Sequence, residues 1–146
     1  MSRNHLLQHP SGTDHFGLLD DMRSGAFRLP AGPVLLLMGE HFGPNRGWGA
    51  RHIWHEHQRE IAARGWDQFE DVAKFVALIV CAGTPVFFEG PGTRNTRLAV
   101  VRSRTGTAIL ESRDRRDGHI WSVVTAFAGT KTHGTRVGTV RSGSSQ

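Results

Sequence analysis

The sequence predicts an α+β fold in which an N-terminal strand and two helices pack on one face of a roughly four-stranded antiparallel sheet. An apolar run at residues 34–38 comes first, and two segments follow whose apolar residues recur every three or four positions, as in helices. The second half instead holds short, strand-like segments separated by turn residues. Helices followed by runs of strands are typical of α+β domains, and 146 residues suffice for one domain with its own core.

The first 30 residues are polar and weakly periodic. They predict a poorly ordered leader or linker over residues 1–30, with a short helix around residues 16–22. We expect a single domain over residues 31–140 and a loose tail over residues 141–146, where serine and glycine dominate.

The predicted domain begins with a turn between Pro30 and Pro33. The apolar run at residues 34–38 then predicts a buried strand. Residues 39–49 contain four glycines and one proline, and this composition predicts a loop.

Two helices are predicted after this loop. The first covers residues 50–64 and ends at Gly65. The second begins at a capping box formed by Asp67 and Glu70 and ends before Gly83. The first helix has an apolar face with Ile53, His57 and Ile61 and a polar face with His52, Glu56 and Arg59.

The rest of the domain predicts β structure. Arg104 and Thr105 form the turn of a hairpin, and the sequence RDRRDG at residues 113–118 forms the next turn. The predicted strands cover residues 85–89, 96–103, 106–112 and 119–127.

Cys81 is the only cysteine, which excludes disulfides within the chain and zinc sites built on several thiolates. It lies in the apolar run VALIVCAG and is expected in the core. The longest apolar runs are far too short to cross a bilayer, and the N-terminus carries no export-signal pattern. We therefore expect no membrane insertion by this chain.

The charge is distributed unevenly along the chain. The formal net charge is +5, with a net of −2 over residues 1–90 and +7 over residues 91–146. Of the 18 basic residues only Lys74 and Lys131 are lysine, and arginine binds phosphate with two hydrogen bonds. A GC-rich genome would also favour arginine, but it does not explain the asymmetry, which suggests a polyanionic partner.

The first predicted helix carries the candidate chemistry. His52 and Arg51 lie in its first turn, where unsatisfied amides attract anions, and imidazole exchanges protons near neutral pH. The alternative for His52 is a solvent-exposed histidine with no functional role. His57 is expected to be a core histidine and His55 to be exposed. Because positions i, i+3 and i+5 of a helix do not share a face, these histidines predict no metal site and no cofactor.

The last predicted strand holds two hydroxyl groups. Strict alternation would place Thr125 on one face with Trp121 and Val123, and Ser122 on the other face. Thr125 is a candidate phosphate ligand, although threonine is also frequent in strands for its β propensity.

Several arginines could meet a phosphate. Arg97 and Arg102 are an odd number of residues apart, so at most one of them reaches a given site on a regular strand. The candidate contacts to an RNA backbone are Arg113, Arg115, Arg116 and Lys131, with a solvated loop as the other interpretation of the arginine turn.

The motifs together resemble a known group of nucleases. Gly-Trp-Gly-x-x-His-Ile-x-x-x-His at residues 47–57 is followed by a second helix and by strands ending in Ser-Val-Val-Thr-Ala-Phe at residues 122–127. This order resembles the barnase/EndoU/colicin/RelE-like nuclease superfamily, in particular its phage-associated and polymorphic-toxin branch, which includes toxin domains of contact-dependent growth inhibition. The resemblance covers roughly residues 31–130.

The resemblance implies a metal-independent ribonuclease toxin that acts on RNA, often transfer RNA, and is neutralised by a cognate immunity protein. It implies delivery as part of a larger secreted protein and action in the cytoplasm of the target cell. The helix histidine of the family corresponds to His52 and the strand hydroxyl to Thr125, or less closely to Ser122, while His57 matches a recurrent second histidine. Arg51 stands where some members have lysine, and arginine would stabilise charge because it does not release its proton.

The expected reaction is attack of the RNA 2′-hydroxyl on the adjacent phosphodiester, which leaves a 2′,3′-cyclic phosphate. His52 would act as general base or acid, Thr125 would bind the phosphate, and Arg51 with Arg97 or Arg102 would stabilise the added charge. We expect the immunity protein to be acidic. The rival hypotheses are a non-catalytic nucleic-acid-binding or phage structural module and, with lower weight, an ADP-ribosyltransferase toxin.

Overall fold

The computed structural model describes residues 2–89, 98–130 and 134–142, with only the backbone of Leu98. Within these ranges the chain forms two helices and a mostly antiparallel sheet, which confirms the predicted α+β class. Arg97 and Lys131 lie outside the described residues. The strands are β1 (Leu6–Leu7), β2 (Leu18–Leu19), β3 (Met22–Ser24), β4 (Phe27–Leu29), β5 (Gly32–Leu37), β6 (Glu40–Gly43), β7 (Arg46–Trp48), β8 (Pro85–Phe88), β9 (Leu98–Arg102), β10 (Thr107–Arg115), β11 (Gly118–Phe127) and β12 (Thr135–Thr139), and the helices are α1 (Gly49–Ala62) and α2 (Asp71–Ile79).

The main sheet has eight described strands, not the roughly four that the sequence predicts. Seven follow the order β1-β5-β11-β10-β9-β8-β12, and β2 also pairs with β5. Strands β5 and β11 are parallel, with Val34 beside Trp121, and the other pairs are antiparallel. The remaining strands form two separate hairpins, β3–β4 and β6–β7. The extra strands are short or polar, so they lack the alternating pattern on which the prediction depends.

One face of the sheet lies in the core. The register pairs Leu110 with Val123 and Ala108 with Ala126, and all four side chains are buried in one cluster with Trp121. Buried residues of both helices belong to the same cluster, among them Ile53, Ile61, Val72, Phe75, Val76 and Ile79. Helices and sheet therefore share a single apolar core.

A bulge in β11 changes which residues share a face. Ile109 pairs with Thr125 but Leu110 pairs with Val123, so Val124 is an extra residue in the ladder. Ser122 and Thr125 consequently lie on the same face, opposite Trp121 and Val123. The prediction that Thr125 shares a face with Trp121 and Val123 is wrong, because strict alternation does not hold across a bulge.

The N-terminal residues are part of the fold, and the prediction of a poorly ordered leader over residues 1–30 is wrong. They form four strands, and the short helix predicted around residues 16–22 is absent from this described segment. The side chains of Phe16, Leu19, Met22 and Leu29 are buried in the core cluster. The indole Nε1 of the buried Trp121 donates a hydrogen bond of 2.8 Å to the Pro30 carbonyl.

Two further segments contain strands that the sequence does not predict. The predicted loop at residues 39–49 is largely the β6–β7 hairpin, with Asn45 in the left-handed region at its tip (φ 58°). The chain after Gly129 forms β12, which pairs with β8. Both segments are rich in glycine and polar residues. The pairing of β12 depends on β8, which is distant in sequence, and the pairing of β6 with β7 depends on a bulged register.

The boundaries of the second helix also differ from the prediction. The prediction has Asp67 as the cap, but helix α2 begins at Asp71. The carboxylate of Asp71 accepts a hydrogen bond from the backbone amide of Gln68. The helix ends at Ile79, and the chain turns at Gly83, whose φ of 93° favours glycine. Cys81 lies in this turn and is exposed, so its predicted core position is wrong.

Three other predicted elements are confirmed, whereas the predicted turn between Pro30 and Pro33 is wrong, because β5 already begins at Gly32. The helix at residues 50–64 corresponds to α1, the apolar run at residues 34–38 lies largely in β5, and Arg104 and Thr105 lie in the turn between β9 and β10. The arginine turn is shorter than predicted because β10 continues to Arg115, which places Arg113 in a strand. Neither helix in the described part of the chain has the length and apolarity needed to cross a membrane.

Candidate active site

Two histidines meet between the β6–β7 hairpin and helix α1. The Nδ1 atoms of His41 and His52 are 3.1 Å apart, which is a hydrogen bond between two imidazoles. Such a bond requires a proton on one Nδ1 and a lone pair on the other. Each ring therefore keeps its Nε2 atom outside this bond, one with a proton and one with a lone pair when both rings are neutral. We call His41 and His52 the histidine pair.

The histidine pair is enclosed by secondary structure. His52 is buried in the first turn of α1, with 5% of its surface exposed, so the alternative of a solvent-exposed histidine is wrong. His41 is half-buried in β6, and its ring stacks on the exposed His55 ring with 4.0 Å between the centroids. Packing on both sides therefore holds the His41 imidazole in one orientation.

Glu56 joins the hairpin to the helix. Its Oε1 accepts a hydrogen bond of 2.8 Å from the backbone amide of Asn45, at the tip of the hairpin. This bond, followed by the neighbouring imidazoles of His52 and His41, lowers the pKa of Glu56, which is therefore ionised at neutral pH. The carboxylate anchors the hairpin that carries His41 against the helix that carries His52.

Burial makes His52 a weaker base than a free imidazole. Desolvation lowers the pKa of His52 below its ordinary value of 6.5, and Glu56 opposes this shift by favouring the charged form. The neighbouring imidazoles of His41, His57 and His55 lower the pKa further. His52 is therefore mainly neutral at pH 7 and can accept a proton there.

Arg51 directly precedes His52 in the chain and contacts the start of the hairpin. Its NH1 donates a hydrogen bond of 3.0 Å to the Gly39 carbonyl, two residues before His41. Its backbone amide bonds to the Met38 carbonyl. These contacts fix a guanidinium group next to the N-terminal turn of α1, where it adds to the positive end of the helix dipole.

His57 has a structural contact of its own. Its Nδ1 hydrogen-bonds to Glu60, and the other carboxylate oxygen of Glu60 accepts a bond from the Ala128 amide at the end of β11. The backbone of His57 departs from helical geometry, with φ −127° and ψ 22°. His57 is half-buried and not a core histidine. Through Glu60 it links α1 to Ala128, directly after β11, and its ring lies 5.7 Å from the ring of Phe127.

The strand candidates lie on one face of the sheet but do not bond to His52. The register places Arg102, Thr107 and Thr125 on the face that also carries Ser122. The Oγ atoms of Ser122 and Thr125 are buried and have no hydrogen-bond partner. The Arg102 guanidinium lies 4.6 Å from the centroid of the Phe87 ring, and its Nε and NH1 atoms are likewise buried and unpartnered.

The arginine turn is less basic than its arginines suggest. Arg113 stacks over the Trp48 ring at 4.2 Å and pairs with Glu111 at 3.2 Å. Arg115 and Arg116 are exposed at the end of the hairpin. Residues 111–117 contain three arginines and three acidic residues, so this segment has no net charge.

Sequence reasoning did not identify His41. The residue lies in the glycine-rich segment GEHFGPNRG, which predicts a loop and gives no reason to place any side chain against the helix. The available signal was the spacing of Gly39, Gly43 and Gly47, which allows a bulged hairpin to fold back on the following helix.

In the described ranges, no group of three or more His, Cys, Asp or Glu side chains is arranged to hold a metal ion.

Gly47 allows the hairpin to approach the helix. A Cβ atom at this position would lie 2.7 Å from His52 Nδ1 and 2.4 Å from the Glu40 carbonyl oxygen. We therefore expect Gly47→Ala to lower the unfolding midpoint and to separate His52 from His41. The matched control is Gly43→Ala in the same hairpin, because Gly43 has a similar φ (152° against 148°) but open space at its Cβ position.

Thermal unfolding of both variants measures this contact. A larger loss of stability in Gly47→Ala than in Gly43→Ala is expected, since both carry the same backbone strain and only one has the collision. Equal losses would contradict the close packing of hairpin and helix.

Comparisons of the chain with protein-family models, with curated protein sequences and with solved structures find no match.

Proposed function

We propose that the chain is a metal-independent endoribonuclease toxin that cleaves RNA by attack of the 2′-hydroxyl on the adjacent phosphodiester. The observation that carries this proposal is the direct hydrogen bond between His41 and His52. Cleavage of this kind needs a base for the 2′-hydroxyl proton and an acid for the leaving 5′-oxygen, and two imidazoles supply both near neutral pH.

The histidine pair can balance the protons of the reaction. When His52 donates its Nδ1 proton to His41, the His52 Nε2 has a lone pair and the His41 Nε2 carries a proton. His52 Nε2 takes the proton of the 2′-hydroxyl as its oxygen bonds to phosphorus, and His41 Nε2 gives its proton to the 5′-oxygen as the phosphorus–oxygen bond breaks. The Nδ1 proton moves from His52 to His41, so both rings end neutral and the RNA ends as a 2′,3′-cyclic phosphate and a 5′-hydroxyl.

Arg51 supplies positive charge beside this pair. The phosphorane-like transition state carries more negative charge on its oxygens than the diester, and a positioned guanidinium stabilises that charge. The strand hydroxyls of Thr125 and Ser122 and the guanidinium of Arg102 make no bond to the pair, so this mechanism assigns them no proton transfer.

The wider biological role follows the resemblance described above and is part of the same proposal. The substrate would be RNA, with transfer RNA the first to test, and an acidic immunity protein would neutralise the toxin. The net charge of +5 supports a polyanionic substrate and an acidic partner. Delivery as part of a larger protein and action in the cytoplasm of a target cell belong to the proposal as well.

The decisive experiment is incubation of the purified chain with total bacterial RNA in EDTA, followed by analysis of the fragment ends. Fragments with 2′,3′-cyclic phosphate and 5′-hydroxyl ends are expected. A DNA strand with the sequence of one of the cleaved RNAs should remain intact because it lacks the 2′-hydroxyl nucleophile. Intact RNA at high protein concentration with a salt-sensitive mobility shift would instead support a nucleic-acid-binding module.

Cleavage is expected to lose rate as the pH falls through the lowered pKa of His52. Below that pKa the imidazole is protonated and cannot accept the 2′-hydroxyl proton, so the acidic limb of the pH profile should lie below pH 6.5.

The free energy of unfolding should also decrease as the pH falls, because the unfolded chain binds the His52 proton first, from about pH 6.5 downwards. Urea unfolding at several pH values, compared with His52→Gln, measures this contribution, and a stability that rises toward acid pH through His52 would contradict it.

A further inference from the structure

We propose that Phe42, in the β6–β7 hairpin, stacks on an unpaired base of the substrate and restricts the site to single-stranded RNA. The inference rests on the proposed function, since it places the base next to the histidine pair. It concerns recognition only and involves no change in the chemistry.

Phe42 is exposed to an unusual degree for an aromatic residue. Its side chain is 61% exposed, whereas Leu78, the other exposed large hydrophobic residue in the described chain, is 37% exposed. Covering a phenylalanine side chain is worth about 1.5–3 kcal/mol, so an apolar ring in water is a ready contact for a partner.

Phe42 is adjacent in the chain to one member of the histidine pair. Phe42 follows His41 directly, and the bulge between His41 and Gly43 leaves it without a cross-strand partner. The alternation of β6 is broken at this point, so Phe42 need not face away from His41. The bond from the Asn45 amide to Glu56 anchors the hairpin, which therefore presents the ring from a tethered strand.

The surroundings of Phe42 favour a nucleotide over an apolar peptide. Arg46, which pairs with Gly43 across the hairpin, is exposed and can contact a phosphate. Arg51 contacts the start of the same hairpin through the Gly39 carbonyl, and His41 of that hairpin bonds to His52. An aromatic ring among groups that suit phosphate is the arrangement by which proteins bind single-stranded nucleic acid.

The same arrangement discriminates against a duplex. In an A-form helix the base faces are already stacked on each other, and side chains cannot enter the narrow major groove. A ring at Phe42 can therefore stack only on a base in a loop, a bulge or a single strand. The substrate class that this predicts is unpaired RNA, such as a loop of a folded RNA, cut at the phosphate beside the stacked base.

The test measures binding without cleavage. The probe is a fluorescent single-stranded RNA whose 2′-hydroxyls are methylated, so that the nucleophile is absent, together with the same strand annealed to its complement. Binding of wild type, Phe42→Ala, Phe42→Trp and the control Leu78→Ala is followed by fluorescence anisotropy. Thermal unfolding of each variant confirms that it is folded.

Phe42→Ala is expected to bind the single strand roughly 5- to 150-fold more weakly, which is the fold-change for the loss of one stacked base. Phe42→Trp should bind at least as tightly as wild type, Leu78→Ala should be unchanged, and wild type should prefer the single strand to the duplex. Binding by Phe42→Ala within about twofold of wild type, or a preference of wild type for the duplex, overturns the inference.

The result also separates this inference from the proposed function. If wild type cleaves RNA but Phe42→Ala binds and cleaves normally, the ribonuclease proposal stands and the stacking role fails. If wild type does not cleave RNA but its binding depends on Phe42, the ribonuclease proposal fails and the stacking role remains.

Discussion

Replacing His52 with alanine is expected to lower the rate of RNA cleavage by at least about 100-fold, the usual contribution of a general acid or base. The substitution removes the ring that accepts the 2′-hydroxyl proton and also the partner of His41 Nδ1. His52→Gln keeps more of the side-chain volume in a position that is 5% exposed, so it tests proton transfer with less damage to packing.

A double-substitution experiment tests whether the two histidines act together. If one proton passes between the rings in each reaction, His41→Ala should lose nearly as much rate as His52→Ala, and the double variant should lose no more than either. His5→Ala is the matched control, because His5 is an exposed histidine outside the pair. Residual activity of His52→Ala within about tenfold of wild type, in a folded protein, would rule out the assigned role.

Replacing Leu19 with alanine is expected to lower the free energy of unfolding by about 2–5 kcal/mol, a large part of the 5–15 kcal/mol typical of a domain. Leu19 is 1% exposed and belongs to the core cluster, although the sequence around it predicts a leader. Leu18→Ala is the matched control, since Leu18 is the adjacent residue of the same short strand and is only partly buried.

Urea unfolding of the two variants separates the structure from the sequence-based prediction. A poorly ordered leader would make both substitutions nearly silent, whereas an integrated strand makes Leu19→Ala costly and Leu18→Ala less so. A chain that lacks residues 1–29 is expected not to fold, because it would lose Phe16, Leu19, Met22 and Leu29 from the core at about 1.5–3 kcal/mol each.

The candidate site was only half accessible to sequence reasoning. His52 and Arg51 follow from their place in the first turn of a helix that its periodicity predicts. Their partner His41 does not, because it lies in a glycine-rich segment whose pairing with residues 46–48 is set by a bulged register. Thr125 was assigned to the wrong face for a related reason, since one extra residue in β11 reverses the alternation beyond it.

The sequence by itself determined the α+β class, the strand at residues 34–38, the first helix and the hairpin around Arg104. Each of these depends on a local hydrophobic period or a local turn, and residues close in sequence are sufficient to specify both. Only the tertiary structure decided that the N-terminal residues complete the sheet, that Cys81 is exposed and that His41 meets His52. Two-residue strands such as β1 and β2 carry no period of their own. They exist because β5 offers them hydrogen bonds, because Leu19 is buried in the core and because Leu7 packs against it.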